Sequence, residues 1–264
     1  MIHPPHVGYL AIIGLGPGHR DLMAPRAIQV IQEADLVIGY RVYLEQIQDL
    51  LSDKEIHVSE LTHEIERATL AVQSARAGRR VCIVSSGDAG IYGMAGLVLD
   101  ILSYRSEEMT SNSSHPVSEP DVEVVPGISA LNAAASLLGA PLMHDFAVIS
   151  LSDLLTPWTT IARRLSAVAG ADFVVVLYNP ISRKRHWQLG EARRLLLEHR
   201  AETTPVGLVC NAYREGQKVQ LTTLEHLLEH DVDMFTTVVI GNSCTRVRQE
   251  RMITPRGYEQ HHSL

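Results

Sequence analysis

The sequence predicts an α/β protein made of two α/β domains, the first around a mainly parallel sheet and the second around a mixed sheet. Three observations point there. Short β-branched runs alternate with stretches of helical period along the chain. Glycine-rich turns stand directly after several of those runs. The strand pattern then starts afresh from residue 146, and 264 residues is enough for two domains of ordinary size.

In the first half the strand runs are LAII (10 to 13), DLVIG (35 to 39), EIHV (55 to 58), RVCIVSS (80 to 86) and VEVV (122 to 125). Helical segments separate most of them, as parallel strands joined by crossover helices require. One helix is expected from Pro25 to Ala34, with proline in the tolerant first turn and Ala27, Ile28, Ile31 and Ala34 on one face. Another is expected from Thr62 to Ala77, with Thr62 as N-cap, Gly78 past its end, and Ile65, Ala68, Thr69, Val72 and Ala75 on the apolar face. Residues 103 to 120, SYRSEEMTSNSSHPVSEP, lack periodicity and read as a mobile surface loop.

The second half offers FAVISL (146 to 151), DFVVVLY (172 to 178), PVGLVC (205 to 210), KVQLT (218 to 222) and TTVVIG (236 to 241), with a helix at 186 to 198. Only NAYREGQ separates PVGLVC from KVQLT, which predicts an antiparallel hairpin and hence the mixed sheet.

Composition narrows the function classes. Hydrophobic content is 45% and charged content 20%, and no apolar run reaches the ~18 residues of a membrane span, so a soluble protein without a membrane partner is expected. The N-terminal MIHPPHVGYLAIIGLGPG lacks a basic n-region and a cleavage site, which reads as a first strand and a cytoplasmic address. Lys plus Arg number 23 against 30 Asp plus Glu, a net charge of −7, which argues against nucleic acid as a partner. Cys82, Cys210 and Cys244 lie far apart, in or beside strand runs, and are expected to be buried reduced thiols with neither a disulfide nor a metal clip.

GLGPG at 14 to 18 follows a strand at once, but His19 stands where the dinucleotide fingerprint needs its last glycine, and no P-loop Gly-Lys follows. Alone it is equally a tight turn without a ligand. A second strand runs into SSGDAGIYGMAG, where Gly87, Gly90, Gly93 and Gly96 expose backbone at the carboxyl edge at which open α/β sheets bind ligands. Asp88 either meets the ribose hydroxyls or amino group of a nucleoside or caps the following helix. A third turn, VVPGISALNAAAS, again joins a strand to a helix of small residues, and three such turns imply a cleft.

In this order and spacing, GLGPG, SSGDAGIYGMAG and EVVPGISALNAAASLLGAPL resemble the tetrapyrrole (corrin and porphyrin) methylases. HDFAVISLSDLLTPW, LYNPISRKRHWQLGEAR, NAYREGQ and TTVVIGNSCTRVRQERMITPRGY extend the resemblance over nearly the whole chain. They narrow it to the branch that methylates carbon 17 of precorrin-3B in cobalamin biosynthesis. Asp88-Ala89 replaces the Asp-Pro of many members, a variation typical of that branch.

The resemblance implies two α/β domains, 1 to 142 and 143 to 264, a homodimer, S-adenosylmethionine in the interdomain cleft and a tetrapyrrole substrate in a neighbouring trough. Carried over by motif, the cofactor contacts are Pro17 of the first turn, Gly87, Asp88 and Ile91 of the second, and Ser129 and Ala130 of the third. Asn179, Asn211 and Ala212 follow from the second half. Methyl transfer from a sulfonium asks for positioning and needs no metal.

A macrocycle fringed with carboxylates should meet basic side chains. Arg183, Lys184 and Arg185 are the first candidates and Arg41, Arg214 and Arg246 the next, with a solvated surface cation as the competing reading of each. Ring contraction accompanies transfer in this branch and needs acid–base help, for which Asp88, His63, His144 and Asp145 are the candidates. The chain carries 13 histidines, so a surface role competes for both of these. The rival readings are a family member acting on another tetrapyrrole carbon, on diphthine or on ribosomal RNA, a nucleotide-binding dehydrogenase or sensor, and a tetrapyrrole-binding scaffold.

Overall fold

A computed structural model of the chain describes residues 7–60, 62–110, 119–182 and 185–258. Two compact units divide it, Met1–Ser129 and Ala130–Leu264.

The first unit alternates strand and helix throughout: β1 (Tyr9–Gly14), α1 (Pro25–Glu33), β2 (Leu36–Tyr40), α2 (Arg41–Glu45), β3 (Glu55–Ser59), α3 (Glu64–Arg76), β4 (Arg80–Ser85), α4 (Ala95–Thr110) and β5 (Asp121–Val125). Its sheet runs β3-β2-β4-β1-β5 with every pairing parallel. Side chains alternate across the pleat. Leu10 and Ile12 of β1 join the core with residues of α3 and α4, whereas Ala11 and Ile13 join the one with α1. Because β1 lies between β4 and β5 and all three are parallel, their carboxyl ends are neighbours. That adjacency positions the three glycine turns.

Two expectations fail here. Residues 103 to 110 are not loop but the continuation of α4, whose Val98, Ile101 and Leu102 pack on the α3 core and propagate the helix; residues 111 to 118 of the expected loop lie outside the described residues. α3 starts at Glu64 with His63 in the cap position, so Thr62 is not the cap, and Ile65 is 68% exposed. The buried face is Arg67, Ala68, Ala71, Val72 and Ala75, which keeps Ala68, Val72 and Ala75 of the expected one and takes in an arginine, a residue type seldom fully buried unless paired.

At the β1–β5 border, Arg26 donates to both carboxylate oxygens of Glu123 at 2.8 and 2.6 Å, and the Tyr9 hydroxyl donates to Glu123. Those hydrogen bonds, Arg26's first and Tyr9's second, hold the Glu123 carboxyl at about 2, below its ordinary 4.5. Burial, then Glu123, pushes the Tyr9 phenol up to about 12. A depressed carboxyl stabilises the fold above its unfolded value, and that contribution disappears as pH falls from about 4.5 to about 2. Glu123→Gln is expected to flatten this part of the acid limb in a denaturation-midpoint-against-pH series while leaving the neutral-pH shape unchanged.

The second unit contains α5 (Ala130–Leu138), β6 (Gly139–Ala140), β7 (Phe146–Ser150), α6 (Trp158–Gly170), β8 (Val174–Tyr178), α7 (Gln188–Leu197), β9 (Pro205–Cys210), β10 (Lys218–Thr223), β11 (Thr236–Ile240), β12 (Arg246–Arg248) and β13 (Arg251–Ile253). Its main sheet runs β10-β9-β11-β8-β7, with β7 and β8 parallel and the other pairings antiparallel. The expected hairpin is present, with Lys218 opposite Cys210. Since β8 and β9 both run against β11, the strands β7, β8 and β9 finish at one edge. A small sheet, β12-β13-β6, has no counterpart in the sequence reading, its strands being too short to show a period.

The two compact units meet in the chain at Ser129 and Ala130. Leu138 of α5 packs on Gly207 of β9 so closely that a Cβ there would stand 2.4 Å from Leu138 Cδ1, and α5 therefore belongs to the second unit's layer. All three cysteines are free, but only Cys82 is buried, its thiol pushed up to about 12 by desolvation. Cys210 is half-buried at a strand end and Cys244 is exposed in the turn past β11. Among the described residues no helix is long and apolar enough to cross a membrane.

Candidate active site

In the first unit the three turns lock together through their backbones. Gly16 and Gly87 exchange N–H···O bonds of 3.0 and 2.7 Å, joining the turn after β1 to the turn after β4. Gly127, in the turn after β5, packs so tightly that a Cβ would stand 2.1 Å from the Gly87 oxygen and 2.6 Å from the Gly14 oxygen. Asp88 completes the joint: Oδ1 accepts the Gly90 N–H at 2.8 Å and Oδ2 accepts the Gly127 N–H at 3.0 Å. It is thus no cap of α4, which begins at Ala95. The carboxylate fastens the second turn to the third.

Around this joint the structure gathers the first-half candidates. Pro17 is buried, Gly87 is buried, Ile91 is half-buried, and Ser129 is 3% exposed at the end of the third turn. Sequence reasoning missed Ser85, the last residue of β4: it is 4% exposed and its Oγ has no protein partner among the described residues. A polar residue closing an apolar strand at a carboxyl edge is the signal that could have found it.

In the second unit Asn179 and Asn211 stand one residue past β8 and β9, with φ of 51° and 50°. Asparagine tolerates this left-handed region, so Asn directly after an apolar strand is itself a turn signal. Asn179 Nδ2 donates to Ser150 Oγ at 2.9 Å, tying the β8 end to the β7 end. Asn211 and its neighbour Ala212 are half-buried, and the Asn211 carbonyl accepts the Arg214 N–H at 2.9 Å. Ala130 starts α5, where the Tyr178 hydroxyl accepts the Leu131 N–H at 2.8 Å. Tyr178 and Ser150, neither singled out from the sequence, therefore brace the candidates Ala130 and Asn179.

The basic and acid–base candidates separate. Arg185 is not a free cation: Nη2 donates to the Asn179 carbonyl at 2.9 Å and Nη1 to Ser152 Oγ at 3.1 Å, bracing the loop after β8. Arg183 and Lys184 lie outside the described residues. Arg41 is exposed, and Arg214 and Arg246 are half-buried. His63 is half-exposed with Nδ1 2.8 Å from Glu66, and His144 pairs with Asp145 at 3.8 Å on an exposed segment. Neither histidine is desolvated. Among the described residues no cluster of His, Cys, Asp or Glu is arranged to hold a metal.

Over residues 9–228 the chain matches the family of Tetrapyrrole (Corrin/Porphyrin) Methylases. It is 49% identical to the cobalt-factor III methyltransferase of Priestia megaterium over 97% of its own length, spanning 46% of that longer protein. It is 45% identical to a probable cobalt-factor III C(17)-methyltransferase of Salmonella typhimurium, covering 94% of this chain and 99% of that one. Among solved structures the methyltransferase CobJ superposes with a TM-score of 0.86 at 33% identity, over 94% of this chain and all 100% of the other. A uroporphyrin-III C-methyl transferase of Thermus thermophilus, complexed with S-adenyl homocysteine, shares the fold at a TM-score of 0.65 and 23% identity, over 89% of this chain and 92% of that one.

Proposed function

Because the chain belongs to the tetrapyrrole (corrin/porphyrin) methylases, we propose that it transfers a methyl group from S-adenosylmethionine to carbon 17 of precorrin-3B or its cobalt form, with contraction of the ring, in cobalamin biosynthesis. The carrying observation is the 45% identity that runs through 99% of a relative named for that carbon. The proposal includes a homodimer in the cytoplasm, without nucleic acid or membrane as partner.

The first unit's turns fit an S-adenosyl ligand. Such a ligand asks for close backbone approach, apolar contact and a few fixed polar groups. Gly87 supplies the approach with φ of 65°, Ile91 the apolar surface, and Ser85 Oγ a buried group without a protein partner. The residues that would hold it are Pro17, Gly87, Asp88, Ile91 and Ser129, together with Ala130, Asn179, Asn211 and Ala212. Bound, S-adenosylmethionine supplies an electrophilic methyl group on its sulfonium. The chain then has to bind, align and exclude water, and alignment alone is worth several orders of magnitude in rate. Asp88 acts chiefly by holding the second and third turns together, since both of its oxygens already accept main-chain N–H groups. For the proton movements of ring contraction, the ring nitrogens of His63 and His144 remain the candidates, and Arg183, Lys184 and Arg185 the candidates for the substrate's carboxylates.

Incubating the purified protein with precorrin-3B or cobalt-factor III and methyl-labelled S-adenosylmethionine, then locating the label by NMR, tests the proposal. Label at carbon 17 is expected. Label at another carbon would reassign the enzyme within its family, and bound cofactor with no label would favour a scaffold. Thermal protection by NAD(P) but not by S-adenosylmethionine would favour a dehydrogenase or sensor.

A further inference from the structure

One turn into α3, Arg67 is 4% exposed, yet it pairs with no carboxylate among the described residues. Its guanidinium is used on one side only. Nη1 donates to Ser59 Oγ at 2.7 Å and to the Glu60 carbonyl at 3.1 Å, fixing the group at the carboxyl end of β3. On the other side Nη2 meets only the thioether of Met94 at 3.5 Å, and Nε meets no protein acceptor. Burial lowers its pKa, with Glu64 and Tyr43 pulling more weakly in the opposite sense. The group remains a cation, and a buried cation lacking an anion is costly.

The Nε/Nη2 edge is the side of an arginine that carboxylates take with two parallel hydrogen bonds. Here its Nη2 end meets Met94, which stands between the turn that follows β4 and the start of α4. Register places Ser59 of β3 beside Tyr40 of β2, and Gly39 beside Val84, so that Tyr40 falls next to Ser85. Leu36, Ile38, Val81 and Ile83 put this parity of β2 and β4 on the α3–α4 face. A row of hydroxyl-bearing residues therefore closes the sheet beneath α3 and α4, and its Ser85 end is also a buried group without a protein partner. Met94, 7% exposed, directly follows Gly93 of the second glycine turn. Methionine is the apolar side chain most easily re-posed.

We propose that Arg67 is an anion-receiving residue: its Nε/Nη2 edge, capped by the Met94 thioether, takes a carboxylate of a reactant. The carboxylate is either that of the methionine moiety of S-adenosylmethionine or an acid side chain of the macrocycle, and the assignment rests on the function proposed above. Movement of Met94 admits it.

Arg67→Met and Arg67→Lys test this, since an apolar residue of similar volume in place of a buried cation is often neutral for folding, and lysine keeps the charge but loses the fork. Three readings are compared with wild type: the Kd of S-adenosylhomocysteine, the Kd of 5′-methylthioadenosine, which lacks the amino-acid carboxylate, and the KM for cobalt-factor III. A rise of about ten- to a hundred-fold in the Kd of S-adenosylhomocysteine for Arg67→Met, with methylthioadenosine unaffected, assigns the edge to the cofactor. An equal rise in KM for the macrocycle, with kcat and both Kd values held, assigns it to the substrate. The lysine variant is expected to fall between.

No change in any reading overturns the proposal, as does equal weakening of both nucleosides, which a structural role alone produces. If Arg67→Met fails to fold, a lysine variant indistinguishable from wild type overturns it. Wild-type protein that binds no S-adenosylhomocysteine defeats the proposed function itself and this assignment with it, an outcome distinct from variants that bind as wild type does.

Discussion

Gly127→Ala is expected to destabilise the first unit by about 3 kcal/mol or more, the upper end for overpacking, and to weaken S-adenosylhomocysteine binding at least about ten-fold. An added Cβ would stand 2.1 Å from the Gly87 oxygen and 2.6 Å from the Gly14 oxygen. Both are backbone atoms, so no rotamer change relieves the contact. Neither neighbour is free to retreat, because Gly16 and Gly87 are held to each other by paired hydrogen bonds and Gly14 is the last residue of a central strand. β5 must therefore separate from β1, or the three turns must come apart. Thermal denaturation together with titration of S-adenosylhomocysteine checks this, and a variant with wild-type midpoint and affinity would show that the glycine packing is not required.

Asp88→Ala is the second large effect. Its carboxylate accepts from Gly90 and Gly127, and hydrogen bonds to a charged group contribute about 1.5–3 kcal/mol each, reduced here because the Gly90 side is solvated. A loss of about 2–3 kcal/mol is expected, with cofactor affinity falling roughly a hundred-fold as the third turn swings free of the second. Asp88→Asn keeps one oxygen acceptor and should lose no more than about ten-fold. Comparable losses in the two variants would mean that the charge meets the ligand directly. A fall in kcat with unchanged affinity would instead assign Asp88 to acid–base chemistry.

Much of the fold was legible because periodicity is local. The β-branched run LAII falls inside β1, RVCIVSS covers β4 and one residue beyond it, and the hairpin of β9 and β10 follows from a loop too short for a crossover. Legibility failed where distant contacts overrule local pattern. A Ser- and Glu-rich stretch past Leu102 reads as loop, yet its first eight residues, 103 to 110, extend α4, whose earlier turns are anchored in the core. Arg67 is not among the residues expected on the apolar face of this helix and is buried, with Ser59 and the Glu60 carbonyl meeting it from the end of β3. The candidate site divides in the same way: GLGPG, SSGDAG and VVPGIS announce three turns, while nothing local announces Tyr178 and Ser150 as braces.

By itself the sequence determined the longer strands and the helices between most of them, that the first sheet is mainly parallel, and that three glycine turns follow its strands, since each depends on residues close together in the chain. Only the tertiary structure decided that strand order β4-β1-β5 makes those turns neighbours, that Asp88 fastens two of them, and that Arg185 braces the loop after β8. Tertiary packing likewise left a buried arginine one fork short of partners. Strand order and hydrogen-bond partnership join residues tens of positions apart, and the free energy that selects them comes from burying both faces of a sheet at once, which no local pattern encodes.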